Sequence, residues 1–246
     1  MRVLIIIPAF NEQTALGGLL AEIRALPPGT AELSTVVVDD GSSDRTAAVA
    51  REGGARVLEL CGNLGIGGAV QSGLRLAARE GFDYAVQVDG DGQHPPSELA
   101  RLLEAAAVTP APDLLVGTRY RDKDNFRSTA LRRLGSWWLR VVLRIVARVR
   151  ISDPTSGFRL YGPRALALFD TTYPYDYPEP ESLAIARANG LVLAEVPVTM
   201  RERQGGTSSI AGLFTLYYML KVTLAIVLSY VRARGGDRGG DHAASG

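Results

Sequence analysis

Four short apolar runs, spaced by helical patterns and closed by turn or acidic residues, confine this chain to a mostly parallel sheet with helices on its faces. Val3-Leu4-Ile5-Ile6-Ile7 is β-branched, lacks polar alternation and stops at Pro8, as a strand buried on both faces does. Thr35-Val36-Val37-Val38 runs into Asp39-Asp40-Gly41-Ser42-Ser43-Asp44, Val57–Leu60 gives a third strand, and Tyr84-Ala85-Val86-Gln87-Val88 ends at Asp89. Between them, Asn11-Glu12 opens a helix through Leu16, Leu19, Leu20 and Ile23 that Pro27-Pro28 closes, and Ser43 or Asp44 can cap the next. The glycine-rich stretch from Gly62 to Gly68 leads into a further helix. In such sheets ligands bind beyond the carboxyl ends of the strands, where Asp39 and Asp89 both lie.

The second half is less regular. Leu114–Gly117 and Leu191–Val198 read as strands, Arg119–Ser128 as a polar loop and Leu131–Val149 as a helix. At 246 residues the chain holds one generous α/β domain. The expected division is a catalytic body over 1–209, an apolar helix over 210–234 and a disordered, glycine-rich tail over 235–246. A net charge of +1 gives no reason to expect nucleic acid as a partner. Cys61 is the only cysteine, which excludes an intramolecular disulfide and reads as a small buried apolar residue. The N-terminus carries no basic leader or cleavage pattern, so a cytosolic protein is expected.

Asp89-Gly90-Asp91 is the sharpest chemical signal. Two carboxylates one residue apart on a turn supply hard oxygen ligands to Mg²⁺ or Mn²⁺ and leave coordination positions for water and phosphate. Gly90 lets backbone approach a ligand closely. Gln93 and His94 follow, and Pro95-Pro96 starts the next helix; His94 reads as capping or packing rather than as a ligand. Asp39 can offer its oxygens to a ribose or base, or simply close a turn. Gly65-Ile66-Gly67-Gly68 lacks the Gly-Lys-Ser/Thr of a P-loop, which excludes an NTPase of that type. A sugar nucleotidyltransferase would need a glycine- and lysine-rich triphosphate loop near the N-terminus, and none is present.

The ordered set Ile7-Pro8-Ala9-Phe10-Asn11-Glu12, Val37-Val38-Asp39-Asp40-Gly41-Ser42, Asn63-Leu64-Gly65 and Asp89-Gly90-Asp91-Gly92-Gln93-His94-Pro95 resembles glycosyltransferase family 2. Gly117-Thr118-Arg119-Tyr120, Asp153-Pro154-Thr155-Ser156-Gly157-Phe158-Arg159 and Glu195-Val196-Pro197-Val198, leading to Arg203 and Gly206, extend the likeness over about residues 3–210. It is strongest to the polyprenyl-phosphate hexose synthases, the dolichol-phosphate mannose synthase type. The resemblance implies a GT-A fold, inverting transfer from a nucleoside-diphosphate sugar (GDP- or UDP-linked) and a Mg²⁺ or Mn²⁺ cofactor. It places Pro8, Phe10, Glu12, Val37 and Asp39 at the nucleoside, and Asp89, Gly90 and Asp91 at the ribose and diphosphate. The metal falls to Asp91 and Gln93 with Asp89, and the acceptor phosphate to Arg119, Arg133 and Arg203. Phe10 stands where tyrosine is usual, which keeps the stacking face and drops a hydroxyl. Ser209 stands where a lysine is usual, and Arg201 is the candidate to supply the missing charge.

A lipid phosphate is already an anion and needs cationic positioning more than a base. Arg119, Arg132, Arg133, Arg201 and Arg203 are placed to supply it. A sugar hydroxyl of a lipid-linked or cell-surface glycan would instead require a carboxylate base, for which Asp153, Glu179 and Glu181 are candidates. A non-catalytic nucleotide-sugar-binding or scaffolding subunit is the rival outside enzymes, and the intact carboxylates and arginines weigh against it.

Two segments point to a membrane surface at its cytoplasmic face. Trp137–Val149 sets Arg140, Arg144 and Arg148 every fourth residue beside an apolar face, as in an interfacial helix. The rival reading is a bundle helix with a basic edge. Ile210–Val231 is 22 residues with Lys221 as its only charge, long enough to span a bilayer. That central lysine favours a half-inserted helix, or one packed on a second copy or a membrane partner subunit.

Overall fold

The computed structural model describes residues 1–27, 29, 31–119, 130–201 and 214–236, with side chains excepted at 130–133, 214–216, 218 and 236. The expected strands appear as β1 (Arg2–Ala9), β2 (Glu32–Asp39), β3 (Arg56–Glu59), β4 (Tyr84–Gln87) and β5 (Leu114–Thr118). Helices α1 (Gln13–Arg24), α2 (Thr46–Glu52), α3 (Gly65–Arg79) and α4 (Leu99–Ala106) connect them. Then follow α5 (Ala130–Val146), β6 (Arg159–Tyr161), α6 (Pro163–Thr171), α7 (Pro178–Ala188), β7 (Leu193–Pro197) and α8 (Phe214–Gly236).

The strands form one sheet in the order β3-β2-β1-β4-β6-β5-β7. Pairings are parallel except where β6 runs antiparallel between β4 and β5. The unbroken apolar run of β1 now has its reason. Val3, Ile5 and Ile7 pack toward α1 and α4, while Leu4 and Ile6 pack toward α3 and the layer of α5 to α8. Alternate side chains of a strand point to opposite faces, and here both faces are covered. Register puts Ala9 opposite Asp39 and Ile6 opposite Gln87, so the carboxyl ends of β1, β2 and β4 share one rim.

Several expectations are corrected. The helix expected to reach Val149 ends at Val146, and Arg148 sits beyond it at φ 56°, so it leaves the stripe of Arg140 and Arg144. Cys61 is exposed, because it follows β3 on the rim instead of pointing into either core. The C-terminal helix packs against α5 and α7, with Val222 and Ile226 wholly buried, and continues past Arg234 to Gly236. Among the described residues no helix is long and apolar enough to cross a membrane. The first residues of the expected apolar segment, 210–213, and residues 237–246 of the expected tail lie outside the described residues.

Candidate active site

The rim loops after β1 and β2 lock together. Asn11, at φ 55°, a conformation asparagine tolerates, donates its amide to Ser42 Oγ at 2.9 Å, and its side-chain oxygen accepts the Ser43 amide at 2.9 Å. The Glu12 amide bonds Thr46 Oγ1 at 2.9 Å. Asp44 accepts the Thr46 amide at 2.9 Å and so closes the turn before α2, but the cap position of that helix falls to Arg45 and not to Ser43 or Asp44. Partial burial pushes the Asp44 carboxyl upward, but donors from Thr46 and Gln13 more than offset it and hold the group below its ordinary value.

This scaffold fixes the residues assigned to the nucleoside. Pro8 and Val37 are buried, and Asp39 is 5% exposed and accepts the Ser42 amide on Oδ1 at 3.1 Å. Phe10 stands 47% exposed at the rim, an open aromatic face, with half-buried Glu12 two residues on. Asp40 has a role not read from the sequence. Its carboxylate takes the amides of Leu64 and Gly65 at 2.7 and 2.9 Å, pinning the start of α3 to the end of β2.

The turn from Asp89 to His94 is tied internally. Asp91, 9% exposed, accepts the Gln93 backbone amide on Oδ1 at 3.0 Å and the Gln93 side-chain amide on Oδ2. Gln93 therefore turns its nitrogen toward Asp91. His94 Nδ1 accepts the Asp89 amide at 3.1 Å, which places its ring proton on Nε2, and the ring stacks on Phe158 at 5.1 Å. Packing and turn closure, as expected, absorb this histidine. A Cβ on Gly90 would lie 3.1 Å from the Pro8 carbonyl, so the missing side chain lets β1 and the Asp89 turn meet.

The Asp153–Arg159 loop closes over the turn from the other side. Its strongest feature is a two-pronged ion pair: Arg119 Nε and Nη2 lie 2.7 and 3.2 Å from the Asp153 carboxylate oxygens. Thr155 Oγ1 adds a donor at 3.0 Å. Arg159 is wholly buried, donating to Ser182 Oγ at 2.7 Å and to the Ser156 and Pro154 carbonyls at 2.8 and 3.2 Å. A Cβ on Gly157 would fall 2.6 Å from Asp89 Oδ2, so only glycine leaves that carboxylate its place.

The three candidate bases separate cleanly. Asp153 belongs to Arg119. Glu181 accepts the Tyr177 amide at 3.1 Å and the Ser229 hydroxyl at 2.6 Å, joining α7 to α8. Glu179 is half-buried, near both Arg159 and Asp89. Burial pushes its carboxyl up, Arg159 pulls it down and the Asp89 charge pushes it up again, leaving it above the ordinary glutamate value.

Other assigned residues are not brought to this point. Arg201 donates its amide to the Gln93 carbonyl at 2.9 Å, while its guanidinium turns to Glu22 of α1 at 2.7 Å on an exposed surface. The Arg132 and Arg133 side chains, and Arg203, Gly206 and Ser209 entirely, lie outside the described residues. No cluster of three or more His, Cys, Asp or Glu side chains forms a closed metal cage among the described residues. Asp89 and Asp91 lie on one turn after β4, and two carboxylates are donors of the kind a hard cation takes when it keeps phosphate and water as further ligands. That chemistry fits Mg²⁺ or Mn²⁺.

The parallel-rich sheet with one antiparallel strand is the GT-A fold of a glycosyltransferase. The chain belongs to the family described as glycosyl transferase family 2, whose model matches residues 4–167. It is 33% identical over 222 residues to undecaprenyl-phosphate mannosyltransferase of Micrococcus luteus, covering 86% of this chain and 88% of that protein. It is 32% identical over 231 residues to polyprenol monophosphomannose synthase of Mycolicibacterium smegmatis, covering 90% and 85%. Among solved structures, glucosyl-3-phosphoglycerate synthase from Mycobacterium tuberculosis, in complex with Mn²⁺, UDP and glucosyl-3-phosphoglycerate, superposes with a TM-score of 0.69. That match covers 95% of this chain and 80% of the other at 20% identity, a likeness of fold.

Proposed function

We propose that this glycosyltransferase moves a hexose from a nucleoside-diphosphate sugar onto a polyprenyl phosphate, with inversion at the sugar carbon. The carrying observation is the convergence of the Asp89–Asp91 turn with the Asp153–Arg159 loop, through Gly157 against Asp89. The relatives named for undecaprenyl phosphate and polyprenol supply the acceptor class. Phe10, Pro8, Val37, Asp39 and Glu12 form the nucleoside end, and Asp89, Gly90 and Asp91 the diphosphate end. Asp89 and Asp91, with Gln93, would hold the divalent cation, which neutralises charge on the diphosphate when bound.

In the transfer, an acceptor phosphate oxygen forms the new bond to the anomeric carbon as the bond to the donor diphosphate breaks, and the nucleoside diphosphate leaves. The chain's part is positional. Arg119, aimed by Asp153, offers a charged donor to an anion, and Arg133 and Arg203 are proposed to do the same. No base is required, because the acceptor arrives deprotonated.

One observation favours a second reading. Glu179 is a half-buried carboxyl near Asp89, held above the ordinary glutamate value, and a sugar hydroxyl acceptor would need such a base. Offering the enzyme polyprenyl phosphate, the same polyprenol without phosphate and a glycan-bearing lipid in parallel separates the two. Product from the phosphate alone supports the first reading, and product from the glycan alone supports the second.

We place the working enzyme on the cytoplasmic face of a membrane. On α8, Tyr217, Leu220, Leu224, Leu228 and Val231 line the face opposite buried Val222 and Ile226 and are all exposed. On neighbouring α5, Leu134, Trp137 and Ile145 are exposed, with Arg144 among them. Apolar residues flanked by cations are the composition of a surface that seats on anionic headgroups. The same face is the one available to a second copy or a membrane partner.

A further inference from the structure

Behind Asp89 runs a buried chain of polar groups that the transfer chemistry leaves unexplained. Gln87, the last residue of β4, is 1% exposed and donates Nε2 to Asp89 Oδ1 at 3.2 Å. Its Oε1 accepts the hydroxyl of Tyr161 on β6, also at 3.2 Å. Tyr161 is wholly buried, and its hydroxyl lies 3.2 Å from that of Tyr173, 6% exposed, between α6 and α7. Phe169 packs edge-on against both tyrosine rings, at 5.9 and 5.2 Å, and fixes their separation.

The chain has a direction. A buried glutamine amide is costly unless both ends are paired, and its nitrogen and oxygen are interchangeable in shape. Tyr161 spends its one proton on Gln87 Oε1, which forces the amide nitrogen toward Asp89. With the Tyr161 proton on Gln87, the 3.2 Å contact between the two hydroxyls is left for Tyr173 to donate. Burial pushes both tyrosine hydroxyls up, and Arg159 pulls them down by less, so both stay protonated donors. What reaches Asp89 is therefore a donor hydrogen. Gly157 faces both oxygens of that carboxylate, a Cβ there falling 2.6 Å from Oδ2 and 2.7 Å from Oδ1, so the group is held between the glutamine donor and the glycine.

We infer that Tyr161 is a positioning residue for the donor site: through Gln87 it orients the Asp89 carboxylate toward the metal-bound diphosphate. This rests on the proposed role of Asp89 and extends it into the sheet. Partners that orient a metal-binding carboxylate typically affect metal affinity by about 10- to 100-fold.

The test is calorimetric binding of Mn²⁺-UDP and Mn²⁺-GDP to the whole protein, alongside thermal melting. Whichever nucleotide binds, Tyr161→Phe should weaken it by about 10-fold or more, with the ring and its packing retained. Gln87→Leu should weaken it at least as much. Adding Tyr161→Phe to Gln87→Leu should produce no further loss, because the tyrosine acts only through the glutamine. If Tyr161→Phe lowers the melting temperature yet binds as the unaltered protein does, the hydroxyl is merely structural and the inference is overturned. Independent, multiplying losses in the double variant would also overturn it. Asp89→Asn reports separately on the parent reading: unchanged binding there removes the donor role of Asp89 itself, whatever Tyr161 does.

Discussion

Arg119 and Asp153 meet through two hydrogen bonds, at 2.7 and 3.2 Å, with the Asp153 side chain wholly buried and that of Arg119 12% exposed. A buried pair of this kind costs most when half of it is removed. Asp153→Asn or Arg119→Ala should lower stability by about 3–5 kcal/mol in denaturant unfolding. Arg119→Ala should also raise the acceptor KM far more than it weakens nucleotide diphosphate binding. Arg119→Lys should not restore either property, because an ammonium cannot reproduce the fork. Full acceptor kinetics in Arg119→Ala would remove this residue from the acceptor site.

Gly157 predicts a sharper split between fold and function. Its Cβ would stand 2.6 Å from Asp89 Oδ2, so Gly157→Ala must displace that carboxylate. Overpacking should cost about 1–3 kcal/mol, while turnover should fall by roughly 10-fold or more as Asp89 moves. Circular dichroism should remain that of the unaltered protein. Normal turnover in Gly157→Ala would show that Asp89 orientation is immaterial.

Glu179 makes a pH prediction. Its carboxyl is held above the ordinary glutamate value, chiefly by burial and further by Asp89, against the pull of Arg159. The folded chain thus binds this proton more tightly than the unfolded chain. Its contribution to stability is greatest below the ordinary glutamate value and is lost as pH rises through the raised one. Glu179→Gln should flatten that part of the stability profile and leave the protein more stable than the parent at neutral pH. Retained transfer to polyprenyl phosphate in this variant would support the phosphate acceptor; loss of transfer with a vanished acid limb would support a hydroxyl acceptor.

The exposed faces of α5 and α8 should bring the protein to anionic vesicles. Replacing Arg140 and Arg144 with glutamine should remove about 1 kcal/mol of membrane affinity per charge, an effect that salt mimics. Replacing Leu220, Leu224 and Leu228 with serine should weaken flotation at any salt. A protein that ignores vesicles and forms a stable dimer would assign this face to a second copy instead.

Much of this architecture was legible in the sequence, and the reasons for the gaps are physical. Strands β1, β2, β4 and β5 announced themselves because burial on both faces requires apolar runs, and the turn that carries Asp89-Gly90-Asp91 because it follows such a run at the rim of the sheet. Strand β6 was missed: Arg159 sits in its three residues, and its burial is made possible by Ser182 and two carbonyls remote from its own pattern. Helices α6 and α7 were missed because each opens on proline, which reads as a break as readily as a first turn. The helical stripe of three arginines lost Arg148 to a left-handed turn that no periodicity reveals. The Tyr161–Gln87–Asp89 chain joins β4 to β6 across the sheet, so no local motif could carry it.

The central claim is tested most directly by one transfer assay. The protein and its Asp91→Ala variant are supplied with GDP- and UDP-hexoses, polyprenyl phosphate and Mg²⁺ or Mn²⁺, with and without excess chelator, and products are read by mass spectrometry. The unaltered protein should form polyprenyl-phosphate hexose from one donor, only with the divalent cation, and Asp91→Ala should remain folded and form none. Undiminished product in chelator, or from the Asp91→Ala protein, would contradict the assignment of the donor site to the Asp89–Asp91 turn.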